Sequence, residues 1–173
     1  AAPSALAATF DKGSLTGDVS FTAPSTSVGG TPLEGNLNYV VRLNGEDRAT
    51  GTVAPGAVAT ASVSALTRGN YSISVVCSNS SGEGERASMH RFIGCDTPLP
   101  VTDVIFVLDD AGEATVSWNA SVAANGGYLD PEALKYVVTR LPDGAQTTVN
   151  SSTTRFVETI AEPASRTRYT YTV

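Results

Sequence analysis

The stretches LNYVVR at 37–42 and LKYVVT at 134–139 decide the fold, and they stand 97 positions apart. The same offset of 97 relates VSFTAP at 19–24 to VSWNAS at 116–121. YSISV at 71–75 matches YTYTV at 169–173 at an offset of 98. Matching segments in the same order, at a nearly constant offset, indicate a tandem duplication.

Each copy contains short runs in which apolar and polar residues alternate. The runs are Val19–Ala23, Leu37–Leu43, Ala59–Ala65 and Tyr71–Cys77 in the first copy, and Ala114–Trp118, Leu134–Leu141 and Arg168–Val173 in the second. Turn sequences such as Asn44-Gly45 separate them about every 8 to 12 residues. This pattern predicts an all-β chain of two antiparallel sandwiches, with at most one helical turn over Asp130–Lys135.

The repeat predicts three parts: a domain over 1–95, a connector over 96–100 and a second domain over 101–173. Pro98 and Pro100 lie in the connector. Because proline restricts the backbone, we expect a short, stiff, extended connector.

Composition excludes several classes of function. The 173 residues carry 11 basic and 17 acidic side chains, a net charge of −6, which disfavours nucleic acid and anionic membrane surfaces. No apolar run approaches the ~18 residues of a membrane span, and we expect no signal segment in this chain. The single histidine, His90, has no metal-ligand spacing around it, and Asp109-Asp110 fits a turn better than a calcium site. We therefore expect no enzyme activity, no metal and no cofactor.

At these residues the sequence resembles tandem fibronectin type III domains. The first copy carries the alternation Tyr71, Ile73, Val75, Cys77 followed by Gly82 and Gly84, and the second copy carries Trp118. The resemblance covers essentially the whole chain. It implies two immunoglobulin-like sandwiches and leaves the function open, since this fold hosts many roles.

Four aromatic residues are expected in the cores. Phe21 and Trp118 would each supply a large ring between two sheets. Tyr71 and Tyr169 begin matching strands, so each is expected to bury its ring and to bond its hydroxyl to the backbone a few residues upstream.

The two cysteines are expected to be free thiols. A strand turn at Gly82–Gly84 would place Cys77 opposite Met89. Cys95 would then lie ~20 Å from Cys77, too far for a disulfide. Cys77 is expected to be buried as a small apolar residue.

The second copy departs from the first. The first continues about 18 residues past Val75, whereas Val173, the match of Val75, ends the printed chain. The last strand of the second sandwich is therefore expected to be missing, which exposes backbone and core. Two explanations stay open: a piece of a longer chain, or a groove that another chain fills by donating a strand.

The most site-like segments are the connections at 24–36 and 120–133, since long loops on a rigid scaffold often bind partners. In the first, Val28, Gly29, Gly30 and Leu33 are expected to form a partner-contact loop. In the second, Tyr128 and Leu129 are expected to form an interdomain joint with Pro98 and Pro100.

Together these expectations describe a non-catalytic extracellular or cell-surface module that acts as a spacer and interaction domain. The style of the repeat is similar to surface proteins of Bacteroides-type bacteria, which implies cell adhesion. The expected partner is a protein or glycan at a cell surface, without nucleic acid or membrane insertion, and further domains of the same polypeptide are expected. An accessory or carbohydrate-binding region of a secreted polysaccharide-active enzyme, and a donor-strand-complemented assembly subunit, are the alternatives. No Arg-Gly-Asp sequence occurs in the chain.

Overall fold

The structure is a computed structural model that describes residues 1–161 and 165–173. The chain divides into two compact units: Ala1–Asp96 with Asn125–Tyr128, and Thr97–Ala124 with Leu129–Val173. Apart from a 3₁₀ turn at Asp11–Gly13, the regular elements of the described residues are strands. The prediction of an all-β chain of two tandem sandwiches is confirmed.

The first unit contains seven strands: β1 (Ser4–Thr9), β2 (Thr16–Thr22), β3 (Leu37–Leu43), β4 (Glu46–Val53), β5 (Val58–Ser64), β6 (Gly69–Asn79) and β7 (Gly82–Ile93). They form two antiparallel sheets with the strand orders β1-β2-β5 and β4-β3-β6-β7. Alternate residues of both sheets point inward and form one buried apolar core.

The described residues of the second unit form six strands: β8 (Thr102–Leu108), β9 (Glu113–Asn119), β10 (Lys135–Leu141), β11 (Ala145–Asn150), β12 (Arg155–Thr159) and β13 (Thr170–Thr172). One sheet has the order β12-β9-β8 and the other β11-β10-β13. These orders repeat those of the first unit up to β6. Among the described residues β13 pairs only with β10, so the counterpart of β7 is missing, as predicted.

The two copies also pair their strands in the same register. Arg42 pairs with Ser74 in the first unit, and their repeat equivalents Thr139 and Thr172 pair in the second. Both first strands also contain an irregularity at the same place. There Ala5 and Asp103 adopt the positive φ values of 49° and 53°. The copies therefore share their local backbone distortions as well as their strand order.

The two hairpins after β3 and β10 differ in their turns. Asn44 and Gly45 both have positive φ, 52° and 87°, which is the two-residue turn that suits the right-handed twist of a hairpin. The second copy inserts two residues here and uses the sequence Pro142-Asp143-Gly144.

An aromatic pair fills each core at the same place. Phe21 and Tyr39 meet edge to face with ring centroids 5.2 Å apart, and Trp118 and Tyr136 meet in the same way at 5.3 Å. The expected rings Phe21 and Trp118 are both buried. Such pairs contribute about 0.5–1.5 kcal/mol beyond the area they bury.

The expected tyrosine hydrogen bond forms in the first unit. The ring of Tyr71 is buried, and its hydroxyl donates to the Thr67 carbonyl oxygen at 2.8 Å. Tyr169 differs, because it is only half-buried and lies against Arg140, whose guanidinium carbon is 5.9 Å from the ring centroid. The expectation of Tyr169 as a core residue is corrected on this point: the ring packs on a cation at the edge of the sandwich.

The β6–β7 register also corrects an expectation. Met89 pairs with Ile73 and not with Cys77, because the turn lies between Asn79 and Gly82 instead of over Gly82–Gly84. The two cysteines are nevertheless unbonded and Cys77 is buried, as predicted. A single helical turn also forms where expected, since the Leu134 amide donates to the Asp130 carbonyl at 2.9 Å.

Candidate functional site

A cleft of the first unit lies between its N-terminus, the loop at 23–36 and the β6–β7 hairpin. It has a volume of about 220 Å³. Apolar atoms of Pro24, Val28, Leu33 and Leu37 line one side, and the hairpin from Cys77 to Gly84 lines the other. We call it the loop cleft.

The loop at 23–36 is folded by its own hydrogen bonds. Thr26 and Pro32 form a bridge, and the Ser27 amide donates to the Thr31 carbonyl at 2.8 Å. The Leu33 amide donates to the Ser25 carbonyl at 2.9 Å. The loop is therefore a small hairpin with a fixed shape, which lowers the entropy cost of binding.

The predicted contact residues occupy different parts of this small hairpin. Val28 and Leu33 line the loop cleft, whereas Gly29 and Gly30 lie at the tip and are not among its lining residues. Val28 is 72% exposed, and Leu33 packs partly against the core. Gly30 has a φ of +83°, which explains why glycine stands at the tip.

The β6–β7 hairpin supplies most of the polar residues that line the loop cleft. The Asn79 side-chain oxygen accepts a hydrogen bond from the Ser81 amide at 2.9 Å and closes the turn. Glu83 lies 3.8 Å from the Arg42 guanidinium. A Cβ atom at Gly84 would lie 3.1 Å from the carbonyl oxygen of Cys77, so the backbone there approaches as closely as glycine allows.

The chemistry of the loop cleft suits binding. Burial raises the pKa of the Cys77 thiol, so this thiol stays protonated at neutral pH. The described residues contain no group of three or more His, Cys, Asp or Glu side chains that could hold a metal ion. The lining combines apolar side chains with polar residues of the hairpin, as protein-binding patches do.

The expected joint residues are distributed over both units. Pro98 and Pro100 belong to the second unit, where the chain at 97–99 pairs with 122–124 through a Pro98–Ala123 bridge and two backbone hydrogen bonds. Leu129 also belongs to the second unit, whereas Tyr128 groups with the first. The connector is thus extended and hydrogen-bonded. Its role as a joint remains a prediction.

Asp96 fixes residues 125–128 within the first unit. Its buried carboxylate accepts hydrogen bonds from the Asn125 amide at 2.7 Å, the Asn125 side chain at 2.9 Å and the Gly127 amide at 3.0 Å. The Asp96 amide donates to the Tyr128 carbonyl at 2.7 Å. Sequence reasoning missed Asp96, because its hydrogen-bond partners lie about thirty positions later in the chain and no local pattern connects them.

A charged cluster links the two sheets of the second unit. Arg140 on β10 contacts Glu158 on β12 at 2.6 Å and Asp143 at 2.5 Å. The Tyr171 hydroxyl donates to Glu158 at 2.6 Å. Burial and the Glu158 carboxylate raise the pKa of Tyr171 to about 12. The sequence did not predict this cluster, because its members come from three separate strands.

Among known proteins, fibronectin type III arrays of solved structure show some similarity to the chain. No protein-family model matches it, and no curated protein matches it by sequence. The chicken CNTN1 FN1–FN3 domains are 15% identical with a TM-score of 0.37, over 99% of this chain and 60% of that chain.

Two further solved structures are similar. The two-domain fibronectin type III segment of chicken tenascin is 17% identical with a TM-score of 0.37, over 93% of this chain and 84% of that one. The central fibronectin-III array of RIM-binding protein is 19% identical with a TM-score of 0.35, over 98% and 56%. This chain therefore spans about three fifths of the CNTN1 segment, and the fold assignment rests on its own strand order. No helix of the described residues is long and apolar enough to cross a membrane.

Proposed function

We propose that this chain is a non-catalytic spacer and interaction module of an extracellular or cell-surface protein, with a role in adhesion. The observation that carries the proposal is the loop cleft, a fixed-shape loop and a hairpin on a rigid sandwich. Binding residues commonly occupy such loops. Further domains of the same polypeptide would extend the spacing.

The favoured partner of the loop cleft is a protein with an exposed apolar side chain. Val28 offers an exposed apolar contact, and the more buried Leu33 and Leu37 also line the cleft. A glycan-binding platform would instead present exposed aromatic rings, and none lines the cleft.

The test compares two valines of the first unit. Val28 is 72% exposed in the loop cleft, and Val58 is 71% exposed on β5, away from its lining residues. Labelled wild-type, Val28→Asp and Val58→Asp proteins would be applied to an array of purified cell-surface and matrix proteins and to a glycan array.

We expect binding to at least one protein, weakened tenfold or more by Val28→Asp and unchanged by Val58→Asp. Glycan binding alone would support the carbohydrate-binding alternative. Equal binding by both variants would remove the loop cleft from the proposal, and no binding on either array would refute the interaction role.

A further inference from the structure

A second cavity of the first unit is lined by aromatic rings and by glycine residues. Its volume is about 200 Å³, and every residue that lines it belongs to the first unit. The rings are those of Phe10, Phe92 and Tyr128. Phe10 is buried, whereas Phe92 and Tyr128 are half-buried, so part of each of these two rings is accessible to a ligand. We call it the aromatic cavity.

Glycine residues let the rings pack directly on the backbone. A Cβ atom at Gly127 would collide with the Phe92 ring, and one at Gly13 would lie 3.0 Å from the Tyr128 ring. Gly126 also lines the aromatic cavity and is exposed. Because glycine has no side chain, the peptide groups at Gly126 are open to the hydroxyl groups of a ligand.

Three basic side chains lie at the aromatic cavity, in a chain whose net charge is −6. Arg91 lines the cavity, and Lys12 directly precedes the lining residue Gly13. The Arg68 side chain packs on the lining residue Gly94, since a Cβ atom there would lie 2.6 Å from the Arg68 Cβ atom. None of the three basic side chains forms an ion pair among the described residues. The cavity therefore offers positive charge to an anionic ligand.

One acidic side chain also lies beside the aromatic cavity. The buried Asp96 carboxylate accepts hydrogen bonds from the side chain and the amide of Asn125 and from the Gly127 amide. These N–H groups stabilise the carboxylate, as hydrogen bonds to a charged group do. Arg91 is therefore not required to neutralise Asp96 and can bind a ligand.

The volume of the aromatic cavity restricts the size of its ligand. Pockets for drug-sized molecules measure about 300–1,000 Å³, so a cavity of about 200 Å³ suits a single small ring. The accessible faces of Phe92 and Tyr128 offer apolar surface to the C–H groups of such a ring. The guanidinium of Arg91 has the planar geometry that matches a carboxylate.

We propose that the aromatic cavity binds a sugar ring that carries a carboxylate, such as a hexuronate. The C–H groups of the sugar pack on Phe92 and Tyr128, and Arg91 pairs with the carboxylate. The peptide groups at Gly126 bond the sugar hydroxyls. A neutral sugar would contact the same rings without the charge pair, so Arg91 sets the specificity. The proposal is independent of the loop cleft, because the two cavities share no lining residue.

The test titrates the whole isotope-labelled chain with sodium glucuronate and follows the NMR shifts of its amides. The amides of Gly94, Gly126 and Gly127 report on the site directly, because these residues line the aromatic cavity. Glucose and acetate at the same ionic strength are the control ligands. Glucose has the ring without the charge, and acetate has the carboxylate without the ring.

Two arginines of β7 provide the matched variants. Both are exposed, but Arg91 lines the aromatic cavity and Arg86 does not. We expect glucuronate at millimolar concentration to shift the glycine amides of the cavity in the wild type and in Arg86→Gln. Its binding should be tenfold or more weaker in Arg91→Gln. Phe92→Leu, which keeps an apolar side chain but removes the ring, should weaken the binding of glucuronate as well.

Several results would overturn the proposal. Unshifted glycine amides at high millimolar glucuronate would show that the aromatic cavity does not bind it, and equal binding by Arg91→Gln would place the ligand elsewhere. Acetate binding as tightly as glucuronate would reduce the cavity to an anion site without sugar recognition. Glucose binding as tightly would remove the role of the charge. Tighter binding of N-acetylphenylalanine, which has a ring and a carboxylate but no hydroxyl groups, would replace the sugar by the carboxyl end of a peptide.

Discussion

Replacing Trp118 with alanine should destabilise the second unit by about 3 kcal/mol. The indole is 4% exposed and forms the edge-to-face pair with Tyr136. A buried tryptophan removes about 150–250 Å² from water, which at ~25 cal/mol per Å² gives about 4–6 kcal/mol as an upper bound. Measured Phe or Trp to Ala changes in cores cost about 3–5 kcal/mol.

A second feature of Trp118 decides where in that range the value falls. Its indole N–H is buried and has no hydrogen-bond partner among the described residues. An unpaired buried donor costs about 1–3 kcal/mol, and alanine removes this cost together with the ring. We therefore expect the lower end of the range.

Phenylalanine provides the matched control, because Phe21 occupies the equivalent position of the first unit. Trp118→Phe removes part of the ring, which destabilises the second unit, and removes the unpaired N–H, which stabilises it. The free energy of unfolding should therefore change by no more than about 1 kcal/mol. Comparing the two variants separates the free energy contributed by packing of the ring from the cost of its unpaired N–H.

Scanning calorimetry of the whole chain measures both effects. At about 4–8 °C per kcal/mol for a domain of this size, Trp118→Ala should lower one transition by roughly 12–24 °C. The transition of the first unit should stay in place and serve as the internal reference. A loss below about 1 kcal/mol, or a shift of both transitions together, would refute the assignment of Trp118 to the core of an independent second unit.

The sequence predicted the central strands well because burial imposes alternation on them. The run Leu37–Leu43 matches β3 to the residue. The edge strands β4 and β11 were not predicted, since they are mostly exposed and need few inward apolar residues. Strand β8 was missed for the opposite reason: five consecutive apolar residues, Val104–Leu108, give no period of two.

The β6–β7 register was predicted incorrectly because the turn was assigned to the two glycines Gly82 and Gly84. The turn instead uses Ser80 and Ser81, closed by the side chain of Asn79. An irregularity between Val76 and Ser78 shifts the pairing further. Neither a side-chain turn bond nor a bulge has a sequence signal as strong as Gly-x-Gly.

The candidate sites were predicted only in part. Val28 and Leu33 were chosen because they lie in a long loop, and they line a cleft whose other side comes from a hairpin about fifty positions later. The Arg140–Glu158–Tyr171 cluster was not predicted, since it depends on which residues of three strands face each other across the sheets. A local sequence pattern does not show which distant strands pair, and this cluster depends on that pairing.

Three further predictions test other parts of the structure. Tyr71→Phe should destabilise the first unit by about 0.5–1.5 kcal/mol, because it removes the hydroxyl hydrogen bond to Thr67 and leaves the ring. Calorimetry measures this, and an unchanged transition would contradict a stabilising role for that hydrogen bond. A thiol reagent at neutral pH should label one cysteine of the folded chain, the exposed Cys95, and should reach the buried Cys77 only after urea unfolding; rapid labelling of both would contradict the packing. The pKa of Tyr171 is raised from 10 to about 12, chiefly by burial and by the carboxylate that accepts its hydroxyl. The protonated phenol is therefore favoured in the folded state, and its contribution to stability is present below pH 10 and is lost between pH 10 and 12, as the unfolded phenol ionises first. Absorbance titration at high pH should show one tyrosine that ionises late, near pH 12, while the second unit is folded, and Tyr171→Phe should remove that late step. If the late step persists in Tyr171→Phe, another tyrosine is the perturbed one.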